Sequence, residues 1–138
     1  MEGIDLVTQS YGRACLHPQL IDRFYEIFLA SHPDIKPFFR HTDFVKQKLL
    51  LKTGVIMLLT HLEGKSAWTE NLIHIARRHS KQELNIPPSL YQFWIDSLIS
   101  AVKEYDDKWN LELERIWRKI LRAGVDFLLE HYDHVEAT

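Results

Sequence analysis

The residue whose chemistry and setting say most is His79. It extends an apolar stripe, Leu72, Ile75 and Ala76, at spacings of three, four and seven residues, which puts its imidazole on the buried edge of a helix just before Pro87 and Pro88 turn the chain. A neutral imidazole offers one ring nitrogen to a metal, while its other N–H needs an acceptor to fix the tautomer. Upstream stand Phe38 and Phe39, then a long segment carrying Gln47 and Leu51. Together these suit a flat apolar cofactor held by one axial nitrogen. They also suit a histidine bonded inside a helical core, and periodicity alone does not separate the two. His32, His61, His74, His131 and His134 fall at no convincing metal-ligand spacing. No carboxylate pair, nucleophile triad, phosphate loop or zinc-type cysteine set stands out.

Helices have to position these groups, because strand signals are nearly absent. The helical period predicts a first helix over 3–16 and a second that starts near Pro18, with Leu20, Phe24, Ile27 and Phe28 on one face. Pro33 disfavours helix at His32 and ends it, and a short turn follows to Phe39. Thr42 or Asp43 is placed to cap a third long helix from about 44 to 61. That helix is apolar enough, through Val55–Leu59, to be expected to be covered on more than one side. Helices over 67–83, 88–106 and 110–132 complete the chain, the last two joined by a short connection at 105–108 and expected to pack antiparallel. The class is all-α, with about six to seven helices in a single domain over 1–138.

The bulk properties narrow the function. The chain has 138 residues and an apolar fraction of 46%, enough for one real core. Its net charge of −2 lacks the basic excess of a nucleic-acid surface. Cys15 is the single cysteine, so no internal disulfide forms, which fits a reducing compartment. The first residues lack a signal-peptide pattern and the apolar runs are too short to span a bilayer, so a cytoplasmic protein with no membrane partner is expected.

The stretch FYEIFLASHPDIKPFF, followed by IARRH and then the tyrosine of PPSLY, resembles the bacterial single-domain globins and the globin domain of flavohaemoglobins. The resemblance spans roughly 18–132 and includes a tyrosine fourteen residues before a phenylalanine. It implies a globin fold around a haem pocket, with haem b as cofactor and His79 as the proximal ligand of its iron. His79 Nδ1 would then donate to a carbonyl about one turn earlier, near Ile75. Phe39 matches the phenylalanine that stacks on the porphyrin. Tyr25 and Gln47 match the distal tyrosine and glutamine, where a phenol O–H and an amide N–H donate to a polar diatomic ligand. Leu51 matches the apolar residue that shapes the ligand space, and Phe44, Val55, Ile75 and Leu98 are assigned to pocket packing. Tyr91 matches the proximal-side tyrosine, with Trp94 on the same face.

This chain departs from those relatives in three places. The segment between Phe39 and the third helix is two residues shorter, which leaves room for Gln47 to face water and for Lys48 or His41 to approach the distal face. The segment between His79 and the prolines is longer by about two residues. Alignment on Trp117 puts Tyr132 where the relatives place a glutamate, with Glu130 on a different helical side, so weaker peroxidase-like behaviour is expected than a proximal carboxylate gives. Arg40, His41, Arg77 and Arg78 are candidates for the haem propionates or ordinary surface charges. The implied ligands are oxygen, nitric oxide or carbon monoxide, with oxygen binding first among the functions. Nitric oxide dioxygenation would call on an external reductase, and gas sensing on a separate output partner. A haem-free helical interaction domain is the alternative from another class. The working form is expected to be a monomer or homodimer.

Overall fold

The computed structural model describes residues 2–65, 69–78 and 87–130, in six α-helices with no strand among them. These are α1 (Ile4–Cys15), α2 (Leu20–Ser31), α3 (Phe44–Leu62), α4 (Thr69–Arg78), α5 (Tyr91–Tyr105) and α6 (Leu111–Glu130). Short 3₁₀ turns, Lys36–Phe39 and Pro88–Leu90, precede α3 and α5. His79 and Tyr132 lie outside the described residues, as do the ends of the helices expected over 67–83 and 110–132.

Local chemistry explains the boundaries. His32 is extended before Pro33, and its Nδ1 accepts from the Asp34 amide at 3.0 Å, closing α2 with a turn. Of the two candidate caps of α3, Asp43 is the one used, its carboxylate accepting from the Val45 and Lys46 amides. Asn110 caps α6 by accepting from the Leu113 amide at 2.8 Å, and Glu112 and Glu114 complement the first-turn dipole.

The core is one cluster built on Trp117, Phe24, Leu20, Ile35, Ile95, Leu98 and Ile120. The most extensive helix pairing is α2 on α5, while α6 runs against α1, α3, α4 and α5. The approach of α3 to α6 depends on Gly124, where a Cβ would sit 2.5 Å from Leu58 Cδ2.

The expectation that α3 is covered on more than one side does not hold. Val45, Leu49 and Ile56 are 82, 64 and 46% exposed. They fall on the helical face opposite Gln47, Leu51 and Leu58, away from the side that carries the buried residues of α3.

A polar anchor that the sequence did not announce ties α1 to the α5–α6 turn. Asp106, 4% exposed, accepts from Ser10 Oγ at 2.5 Å, from Arg13 Nε at 2.6 Å and Nη2 at 3.0 Å, and from the Lys108 amide at 3.0 Å. Trp117 Nε1 donates to Ser10 Oγ at 3.0 Å and completes the chain of bonds. Burial alone would raise the Asp106 pKa, but the bonds from Arg13, Ser10 and the Lys108 amide hold it below the ordinary carboxylate value.

Candidate functional site

One face of α3 forms a wall of the main cavity. Gln47, Leu51, Gly54, Val55 and Leu58 all line it, at spacings of four, seven, eight and eleven residues. Facing them are Leu72 and Ile75 of α4, Phe24, Tyr25 and Phe28 of α2, and Tyr91 and Trp94 of α5. Phe38 and Phe39, and Val125 and Leu128 of α6, line it as well. The space not occupied by atoms is about 1060 Å³, part of it open to solvent. Its wall draws on five helices and is mostly apolar, which suits an organic ligand better than a bare ion.

Among the described residues the wall is apolar, with polar side-chain atoms from Tyr25, Gln47, Tyr91 and Trp94. Its aromatic part is locked edge to face. Tyr25 meets Phe24 at 4.9 Å and Phe44 at 5.5 Å, each at 82° between the rings. Phe39 meets Phe28 at 6.0 Å and 79° and stacks on Phe44 at 5.9 Å and 26°. Such pairs contribute about 0.5–1.5 kcal/mol each beyond the area they bury, so this corner keeps its shape without a ligand.

Tyr25 is buried, and burial pushes its pKa up to about 12, against a smaller opposite effect of the contact with Gln47. At neutral pH it is therefore a protonated donor. Its hydroxyl donates to the backbone carbonyl of Gln47 at 3.4 Å, a long bond. Tyr25 thus lines the cavity and at the same time reaches a backbone carbonyl.

The other candidates fall as follows. Gln47, Phe39, Leu51, Val55, Ile75, Tyr91 and Trp94 all line the cavity. Phe44 does not, and instead backs Phe39 and Tyr25 from behind. Leu98, assigned to pocket packing, is fully buried in the core and off the cavity wall. It lies one turn beyond Trp94, and that turn carries it under the neighbouring helices. Lys48 turns away to pair with Asp22 at 2.8 Å, leaving that side of the wall to Gln47. Arg40 and His41 are exposed beside the 3₁₀ turn, and the Arg77 and Arg78 side chains lie outside what is described. Leu72 and Ile75, which share the predicted stripe with His79, line the cavity.

Sequence reasoning missed Gly54, Phe28, Ile35, Leu90, Val125 and Leu128 as lining residues. The signal for Gly54 and Leu58 was present, since they continue the spacing of Gln47 and Leu51. It also missed a pin at the entry to α4. His61 Nδ1 lies 2.9 Å from Thr69 Oγ1, and its ring rests 4.2 Å from that of Phe127, joining α3, α4 and α6.

The donor set suits a ring cofactor. Among the described residues no group of three or more His, Cys, Asp or Glu stands ready for a metal ion.

The comparisons with known proteins agree with this geometry. A family model described as Globin matches residues 22–128. The fold is similar, with a TM-score of 0.87, to the crystal structure of a Pseudomonas aeruginosa PAO1 protein described as structurally highly homologous to a human haemoglobin. The two chains are 36% identical, and the match covers 95% of this chain and 98% of that one. No curated protein matches the chain.

Proposed function

This chain belongs to the globin family, and on that premise we propose that it holds one haem b and binds a diatomic gas reversibly, with oxygen as the first candidate. The observation that carries the reading is the cavity, an aromatic-walled apolar space with a buried, protonated phenol at its wall. When bound, the haem supplies an iron with a coordination position open to a gas.

The chain's own residues supply the rest. Phe39, backed by Phe28 and Phe44, gives a stiff flat surface with no competing ligand atom. Leu51 and Val55 from α3, with Leu72 and Ile75 from α4, exclude water, which strengthens any hydrogen bond made inside. Tyr25 is the donor. The bond it makes to the Gln47 carbonyl is long, so a polar ligand draws the hydroxyl away at small cost. The Gln47 side-chain amide is a second donor on the same wall. Oxygen gains more from these donors than carbon monoxide, which is less polar when bound. His79 is the residue assigned to the iron. Tyr91 and Trp94, which line the cavity, are assigned to the proximal side, and Tyr132 is assigned there in place of a carboxylate.

No helix among the described residues is long and apolar enough to cross a membrane, and a cytoplasmic monomer or homodimer is the proposed working form. The test is spectroscopic. Protein purified with ample haem should give ferric, ferrous and carbonyl spectra of a coordinated haem, and His79→Ala should abolish or transform them. Ferrous protein that takes up and releases oxygen without oxidising supports the carrier reading. Fast nitric oxide consumption that depends on an added reductase would move the assignment to a dioxygenase. Haem-replete protein without haem absorption would leave a helical interaction domain.

A further inference from the structure

Gly54 stands in the middle of the cavity-facing side of α3, three residues after Leu51 and seven after Gln47. Glycine inside a helix weakens it relative to alanine, because the unfolded chain has more freedom to lose and no side chain packs in return. Such a residue needs a reason.

Two reasons that hold elsewhere in the chain do not hold here. At Gly124 a Cβ would sit 2.5 Å from Leu58 Cδ2, so that glycine is required by the packing of α6 on α3. Gly3 and Gly64 have positive φ, where a side chain is strained. Gly54 lies inside a regular helix, its φ is not positive, and an added Cβ would meet nothing within 4 Å. Gly12 also has nothing within 4 Å, but it is an exposed residue of α1, where the open space is solvent. At Gly54 the adjoining space is the cavity, since the residue lines it.

We infer that Gly54 is a specificity-determining residue for the cofactor. Its missing side chain keeps open the part of the cavity that a broad planar macrocycle needs against α3. Its neighbours on this face, Leu50, Leu51, Val55 and Leu58, all carry bulky aliphatic groups. A leucine at 54 would fill the gap between them and leave a conventional packed helix face. The position thus trades helix stability for room in the cavity. This inference rests on the haem-binding reading and is tested apart from it.

The experiment compares the parent with Gly54→Ala, Gly54→Leu and, as a surface control, Gly12→Ala. Two quantities are read for each, the thermal midpoint of cofactor-free protein and the dissociation constant for iron-free protoporphyrin IX, followed by fluorescence. The iron-free ring isolates the shape of the cavity from any bond to His79. Gly54→Ala and Gly12→Ala should each raise the Tm of cofactor-free protein by about 2–4 °C. Gly54→Leu should fold and weaken porphyrin binding at least about tenfold, with Gly54→Ala intermediate and Gly12→Ala unchanged. Gly54→Leu binding as tightly as the parent overturns the role of Gly54. A Gly54→Leu chain that does not fold overturns it too, because the space over Gly54 would then not be open. A parent that takes up neither haemin nor protoporphyrin overturns the haem-binding reading itself.

Discussion

Around Trp117 the chain uses buried polar bonds to hold helices together, whereas around Tyr25 it leaves an apolar space with few polar atoms at its wall. The first region is filled, and the polar groups of Asp106, Ser10 and Trp117 satisfy one another. Asp106 accepts from Ser10, Arg13 and the Lys108 amide, and Ser10 in turn accepts from Trp117. The second is rigid at its aromatic corner and open elsewhere, and its buried hydroxyl is loosely engaged at 3.4 Å. Both regions hang on α6, one at Trp117 and the other at Val125 and Leu128. A cavity is a standing loss of packing. It is tolerable here because the α1–α5–α6 junction is closed by contacts that do not depend on any ligand.

The contrast breaks most plainly at Trp117. Trp117→Ala should destabilise the cofactor-free protein by about 4 kcal/mol, read by urea unfolding. A loss under about 1 kcal/mol would mean that the anchor is not what holds this end.

Asp106→Asn should cost about 2–3 kcal/mol, because it removes charge-assisted bonds from a guanidinium that is still partly exposed. It should also change the acid limb. The lowered Asp106 pKa contributes stability that is complete above the ordinary carboxylate value of about 4 and is lost as the pH falls through the lowered folded value. Unfolding free energy of the parent should therefore drop more steeply than that of Asp106→Asn as the pH falls from about 4 through that lowered value. Parallel curves would remove Asp106 as the cause.

In the cavity region the order of effects reverses, with function moving more than stability. Phe39→Ala should cost about 1–2 kcal/mol in the cofactor-free protein, since Phe39 is only half-buried, and should release haemin to a competing acceptor much faster than the parent. Unchanged haemin transfer would show that Phe39 is not the packing surface. The smallest stability effect is expected for Tyr25→Phe, within about 0.5 kcal/mol, because the bond it loses is long. Oxygen dissociation should nevertheless speed up about tenfold, with carbon monoxide changing less. Equal changes for both gases would mean that Tyr25 acts by shape and not by donating a proton.

The helices were legible because each carries its own period and its own stop signals. Pro33 after His32, Asp43 before Phe44 and the Pro87–Pro88 pair mark boundaries that the fold obeys. The candidate site residues came from the resemblance, and the helical period explains why Gln47, Leu51 and Val55 share one wall of the cavity. Leu98 shows where that reasoning stops. It has the apolar character and spacing of a wall residue, but the neighbouring helices cover it. The exposed back of α3 shows the same limit, because Val45, Leu49 and Ile56 look no different in sequence from buried aliphatics.

What the sequence determined alone was local: helix type, helix ends, and which residues share a face, all set by backbone chemistry within a few residues. Tertiary structure decided what each face meets. Ser10 and Asp106 are separated by 96 positions yet share a 2.5 Å hydrogen bond, and only the packing of α1 against the α5–α6 turn brings them together. The same packing decides that the space beside Gly54 is a cavity and the space beside Gly12 is solvent. A helix dictates the direction in which a side chain points, and its neighbours dictate whether anything is there.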